Sequence, residues 1–127
     1  MKVFIIMAHP LSLEQEKEIH SRFQPKEILQ LPENLKSTWM NIPPYGPWDS
    51  EWIEEILKWI KSQICPSDIA IIQGEYGATF FLVKWLKQKG NAVYYATTER
   101  KVIETKHNDG TIETKRVFRH VYFREYP

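Results

Sequence analysis

IAIIQGEYGATFFLVKWLKQKG (Ile69–Gly90) joins an apolar run, a polar glycine turn and an amphipathic segment. Ile69–Gln73 reads as a strand. After Gly74, Glu75–Gly77 reads as a polar turn, and about Ala78–Lys89 as a helix with Gly90 just past its end. Ala78, Phe81, Leu82, Trp85 and Leu86 line up on one apolar stripe of that helix, and Phe80 and Val83 form a second. A helix apolar on two sides is either deeply buried or lies against another subunit. Strand, tight turn and helix make half of a βαβ unit, which points to a parallel sheet.

The rest of the chain extends that pattern. Lys2–Ala8 is a continuous apolar run, as expected of a strand covered on both faces, and His9-Pro10 ends it. Ser12 and Gln15 have the spacing of a capping box, opening a helix to about Phe23, and Pro25 stops it. Lys26–Leu31 is a short second strand. Pro32–Pro47 reads as a longer connection in which prolines and glycine forbid regular structure over much of its length. Asp49 or Ser50 then caps a helix whose Trp52, Ile53, Ile56, Leu57, Ile60 and Ile64 form a broad stripe, ended by Pro66. Ala92–Ala96 is a fourth strand. Beyond it, Lys101–Lys106 and Thr111–Phe123 flank Asp109-Gly110, a hairpin-turn signal. The expected fold is α/β: a single domain with a mainly parallel sheet, helices on both faces and a C-terminal β-hairpin. Its α/β core spans about residues 1–99, and the hairpin spans 100–127.

Composition narrows the function classes. The 127 residues are 43% apolar and 26% charged with net charge +1, the balance of one ordinary globular domain and not of a duplex-DNA binder. From Arg100 onward basic residues outnumber acidic ones, so a small basic patch for a compact anion is expected there rather than a long nucleic-acid track. Cys65 stands alone, which gives neither a disulfide framework nor a thiolate metal cluster. No segment approaches a membrane span, and MKVFIIMA is too short for a signal peptide. The expected compartment is the cytoplasm.

In an open parallel sheet, ligands collect beyond the carboxyl ends of the strands. Three segments are expected there: His9-Pro10, Gln73–Thr79, and Ala96–Arg100 (ATTER) after the fourth strand. The glycine turn offers backbone N–H groups to an anion. Thr97, Thr98, Arg100 and Lys101 add hydroxyls and cations. Each has a structural alternative. Gly74 and Gly77 form only G-x-x-G, short of any phosphate-loop or dinucleotide fingerprint, and they also suit a plain tight turn. Glu75 is an acid or base candidate or a solvated turn residue. His120, between Phe118 and Tyr122, reads as a packed histidine, and Arg119 as an ion-pair partner or ligand contact. Trp39, Trp48 and Tyr45 either stack on bases or pack the long connection.

There is no G-x-S-x-G elbow, the four histidines lack metal-ligand spacing, and carboxylates are not clustered. One chemistry suits that inventory: cleavage of an RNA-like phosphodiester by its own 2′-hydroxyl, where the protein aligns the backbone and stabilises charge. No metal or cofactor is then expected.

HPLS with the helix after it, LPENLKSTWMNIPP, IIQGEYGATFFLV, VYYATTERKV and RVFRHVYFREY follow one another along nearly the whole chain. With these segments the sequence resembles a small CRISPR-associated family, the twentieth of the Csx series. IQGEYGAT, YATTER and FRHVYFR are the most specific of them. The resemblance implies a CARF-like Rossmann domain and a ring nuclease that opens cyclic tetraadenylate, a second messenger of type III CRISPR systems, without metal. It implies a homodimer with the ring on the two-fold axis, with Phe80 and Val83 as interface candidates. In that reading Gly74, Glu75, Tyr76, Gly77 and Thr79 floor the site, and Thr97 binds phosphate or ribose. Thr98 does the same and joins the catalytic group. Arg100 and Lys101 stabilise transition-state charge, and His9 positions the 2′-hydroxyl or a phosphate. The competing reading is a non-catalytic cyclic-oligoadenylate binder, a sponge or sensor. A weaker third is a mononucleotide-responsive or partner-binding module.

Overall fold

The computed structural model describes residues 1–127. Five strands form one sheet: β1 Lys2–Ile6, β2 Glu27–Gln30, β3 Ile69–Ile72, β4 Ala92–Lys106 and β5 Ile112–Glu125. Their order is β2-β1-β3-β4-β5. The first four run parallel, and β5 returns antiparallel to β4. The helices are α1 Leu13–Glu18, α2 Glu33–Met40, α3 Glu54–Lys61 and α4 Tyr76–Gln88. α1 continues into a π-helical turn, Ile19–Phe23, and a 3-10 turn, Ser50–Ile53, leads into α3.

Alternation along β1 and β3 divides the core in two. Phe4, Ile6, Ala70 and Ile72 pack with side chains of α2, α3 and α4 on one face. Val3, Ile5, Ile69 and Ile71 pack with Ile19, Phe23 and Phe123 on the other. Both faces are therefore covered, which is why these strands are apolar at every position. Ile53 of the 3-10 turn and Ile56 and Ile60 of α3 are completely buried. The Ser12–Gln15 capping box forms in both directions, at 3.1 and 3.0 Å.

Two expectations are corrected. Pro32–Pro47 is not irregular throughout, because Glu33–Met40 is a helix. Pro32 sits at its N-cap, where a missing N–H costs nothing, and Leu35 and Trp39 bury on its inner face. The breaking prolines, Pro43, Pro44 and Pro47, come only after it. Likewise, Ala96–Arg100 is not a loop after the fourth strand. β4 continues unbroken to Lys106, and its residues beyond Tyr94 pair only with β5. The two strands thus leave the sheet as a long ribbon, closed by a turn in which Gly110 takes φ +86°. A bulge interrupts the ribbon: Thr97 faces Tyr122 but Thr98 faces His120, leaving Val121 as the extra residue.

At the amino edge of the sheet, Asp68 is 2% exposed. It accepts from the backbone N–H of Lys2 and of Cys65, both at 2.8 Å, and pairs with Lys2 Nζ at 3.3 Å. Asn91 donates to the carbonyls of Cys65 and Asp68 from the same knot. Burial pushes the Asp68 carboxyl up, but the two N–H bonds and Lys2 outweigh it and hold it below the usual range.

Candidate functional site

The turn after β3 is already occupied by protein groups. Glu75 is the N-cap of α4, and its carboxylate accepts from Gly77 N–H at 2.7 Å and Ala78 N–H at 3.1 Å. Two of the donors expected to meet an anion are thus taken by the residue next to them. Gly74 has a packing reason. A Cβ there would lie 2.6 Å from the indole of Trp39, which is 2% exposed and donates through Nε1 to the Gln73 carbonyl at 2.9 Å. Gln73 is the hub of this edge. Its N–H reaches Ile6 O at 3.0 Å, and its side-chain oxygen accepts from Ala96 N–H at 3.2 Å.

Beside the turn lies a cavity of about 960 Å³ between α4, β4 and the Tyr126-Pro127 end. Gln73, Gly74, Tyr76 and Thr79 line it at the sheet edge, and Phe80, Val83, Lys84, Lys87 and Gln88 line it along α4. Tyr95 and Tyr126 close the far side, their ring centroids 4.8 Å apart. Tyr126 is anchored by its hydroxyl to Ile72 O at 2.6 Å, and burial, then the neighbouring Tyr95, pushes its ionisation up. Lys87 donates to the carbonyls of Tyr126 and Pro127. Lys84 enters none of the ion pairs. The walls combine aromatic faces, two ammonium groups and amide and hydroxyl groups, with no carboxylate side chain. The Thr79 hydroxyl is buried without a hydrogen-bond partner.

Of the expected site residues, this cavity gathers Gly74, Tyr76 and Thr79. Glu75 caps the helix, and Gly77 lines a smaller neighbouring groove with Trp48, Phe80, Phe81 and Trp85. His9 is exposed after β1, outside the cavity. Thr97, Thr98, Arg100 and Lys101 lie on the ribbon, also outside it. There Thr97 donates to Tyr122 O at 2.9 Å, and Lys101 pairs with Glu99 at 3.2 Å. Phe80 and Val83 part company: Val83 is buried, while Phe80 is 71% exposed on the ridge Tyr76, Phe80, Lys84. No group of three or more His, Cys, Asp or Glu side chains could hold a metal. Tyr95, Lys84 and Tyr126 were not among the expected site residues. Period-four spacing from Tyr76 was the available signal for Lys84, whereas Tyr126 joins only through the antiparallel return of β5.

On the other face of the sheet, His120 is 5% exposed and its Nε2 lies 2.8 Å from Glu18. Glu18 also accepts from Phe123 N–H and from Arg22. Burial pushes Glu18 up, yet the bonds from Phe123, His120 and Arg22 hold it below the ordinary carboxylate range. His120 Nδ1 is buried without a partner. Arg119 pairs with Glu14 at 3.0 Å. This cluster pins α1 and its π-turn to the bulge of β5.

Residues 1–124 match the family described as "Uncharacterized protein MJ1673 family". The chain belongs to the MJ1673 family. It is 31% identical over 125 residues to "Uncharacterized protein MJ1673" of Methanocaldococcus jannaschii, covering 98% of this chain and 96% of that one. No solved structure matches the chain. No helix is long and apolar enough to cross a membrane.

Proposed function

We propose that this MJ1673-family chain binds cyclic tetraadenylate in the cavity between α4 and the Tyr95–Tyr126 pair and opens it as a metal-independent ring nuclease. The observation that carries the reading is the cavity wall: aromatic faces for adenine and the unpaired Lys84 for phosphate, with no acidic side chain to repel it. The resemblance to the CRISPR-associated family selects the cyclic oligoadenylate among nucleotides, and with it a cytoplasmic, CARF-like Rossmann domain ending in a hairpin. In the cleavage step a ribose 2′-oxygen attacks the adjacent phosphorus and loses its proton. The P–O5′ bond breaks, and the 5′-oxygen leaves and is protonated. The products are a 2′,3′-cyclic phosphate and a 5′-hydroxyl. Lys84, free of other partners, is the natural group to stabilise the developing charge. The ridge of Tyr76, Phe80 and Lys84 is the dimer contact of this reading, which sets two cavities about a two-fold axis with one ring between them.

A specific observation favours sequestration as the second reading. His9, Thr98, Arg100 and Lys101 do not line the cavity, so no expected catalytic group meets the ligand within one subunit. The two are separated by incubating the protein with labelled cyclic tetraadenylate in EDTA and resolving the products. Linear fragments ending in cyclic phosphate, reduced about 100-fold or more in rate by Lys84→Ala, are expected. Intact ligand co-eluting with protein leaves only the sponge, and absence of binding removes both. Loss of cleavage in EDTA refutes the metal-free route.

A further inference from the structure

The ribbon of β4 and β5 carries a second feature, independent of the cavity. Cross-strand register sets Arg100 opposite Phe118 and Val102 opposite Arg116. Opposed residues share a face, as do residues two apart, so these four form one block with the guanidinium groups on its diagonal. All four are exposed, Phe118 by 72%. The ion pairs within and around the ribbon join Lys101 with Glu99, His107 with Glu113, Arg119 with Glu14 and His120 with Glu18. Arg100 and Arg116 are left without a carboxylate partner. The opposite face also bears cations, Lys101 and Lys115, but it has no aromatic residue in the corresponding block, and Glu99 already holds Lys101.

An exposed phenyl ring between two unpaired guanidinium groups, on a ribbon standing clear of the sheet, asks for a partner that is both flat and anionic. We propose that this face binds a short stretch of single-stranded nucleic acid, one base stacked on Phe118 and the flanking phosphates on Arg100 and Arg116. Stacking on an aromatic ring plus cationic tracking of the backbone is how unpaired strands are held without sequence preference. A duplex hides its base faces and would leave Phe118 without a partner. The small number of cations limits the contact to a few nucleotides and makes it salt-dependent.

The test is fluorescence anisotropy of the full chain with a labelled linear hexa-adenylate RNA, at two salt concentrations, beside a labelled 12-base-pair duplex. Binding that favours the single strand, weakens with salt, and falls roughly ten-fold in Phe118→Ala and in Arg100→Gln/Arg116→Gln is expected. Unchanged circular dichroism and melting of these surface variants certify their fold. Absence of binding, or tighter binding to the duplex, overturns the proposal. So does unchanged affinity in Phe118→Ala, which would reduce the interaction to bulk charge. Tyr76→Ala/Lys84→Ala should retain linear RNA binding. If affinity is lost there instead, the strand occupies the cavity, and the ribbon assignment fails while the cavity reading stands. If Phe118→Ala alters only the sedimenting mass, the face serves a second copy of the chain and the proposal is likewise overturned.

Discussion

Replacing Gly74 by alanine tests whether the glycine turn exists for packing or for a ligand. The added methyl would lie 2.6 Å from Cε2 and Nε1 of Trp39 and 2.7 Å from Cζ2. Ordinary contact begins near 3.4 Å, so the indole must retreat by roughly 0.8 Å. Trp39 is fully enclosed and cannot do so cheaply; overpacking of this kind costs about 1–3 kcal/mol. The same movement weakens the Trp39–Gln73 hydrogen bond, worth about 1 kcal/mol. The expected loss is therefore about 2–4 kcal/mol, a fall in melting temperature on the order of 10 °C. Gly77→Ala is the control. Its Cβ meets Trp48 at 3.2 Å, a partly exposed ring that can give, and alanine is the better helix former. That variant should stay within about 1 kcal/mol of the native protein. Urea unfolding followed by tryptophan fluorescence and circular dichroism reads both. Trp39→Phe should also recover part of the Gly74→Ala loss, a coupling that a double-mutant cycle detects. A Gly74→Ala protein as stable as the native one would refute the packing account and return the glycine to a ligand role.

Further expectations concern neighbouring groups. Glu75→Ala removes the cap of α4 and should cost about 1 kcal/mol, while the proposed binding mode, which puts cyclic tetraadenylate in the adjacent cavity, predicts unchanged affinity. A loss of affinity measured by calorimetry would place the turn in the site. Asp68 has a depressed folded pKa, so its contribution is present above its unfolded value, about 3.9, and is lost as pH falls through the folded one. Urea unfolding between pH 6 and pH 2.5 should show that loss, and Asp68→Asn should flatten it. A variant with the same acid profile as the native protein would contradict the assignment. Tyr126→Phe removes the hydroxyl bond to Ile72 O and should cost about 1 kcal/mol while loosening the cavity wall. Hydrogen exchange at Tyr95 and Tyr126 would report the loosening; unchanged protection would show that the anchor is dispensable.

Periodicity and capping are local, and that is why much of the fold is written openly in the sequence. The apolar runs of β1 and β3, the Ser12–Gln15 box and the α3 stripe depend on residues a few positions apart. They are sufficient to call for an α/β domain with a mostly parallel sheet. The α2 helix was hidden because prolines nearby outweighed one buried pair, Leu35 and Trp39, whose partners lie elsewhere in the chain. Only the tertiary structure decided what the glycine turn does. Trp39, thirty-five residues away, fills the space beside Gly74, and Glu75 folds back onto its own helix, so protein groups take that space and two of the turn's N–H donors. The same holds for the site. Tyr95 and Tyr126 meet because β5 returns antiparallel along β4, and that return also carries Thr98 and Arg100 out along the ribbon, away from the sheet edge where the sequence places them beside the glycine turn. Residue types along a chain set which chemistry is available; long-range register decides which of those residues share a surface.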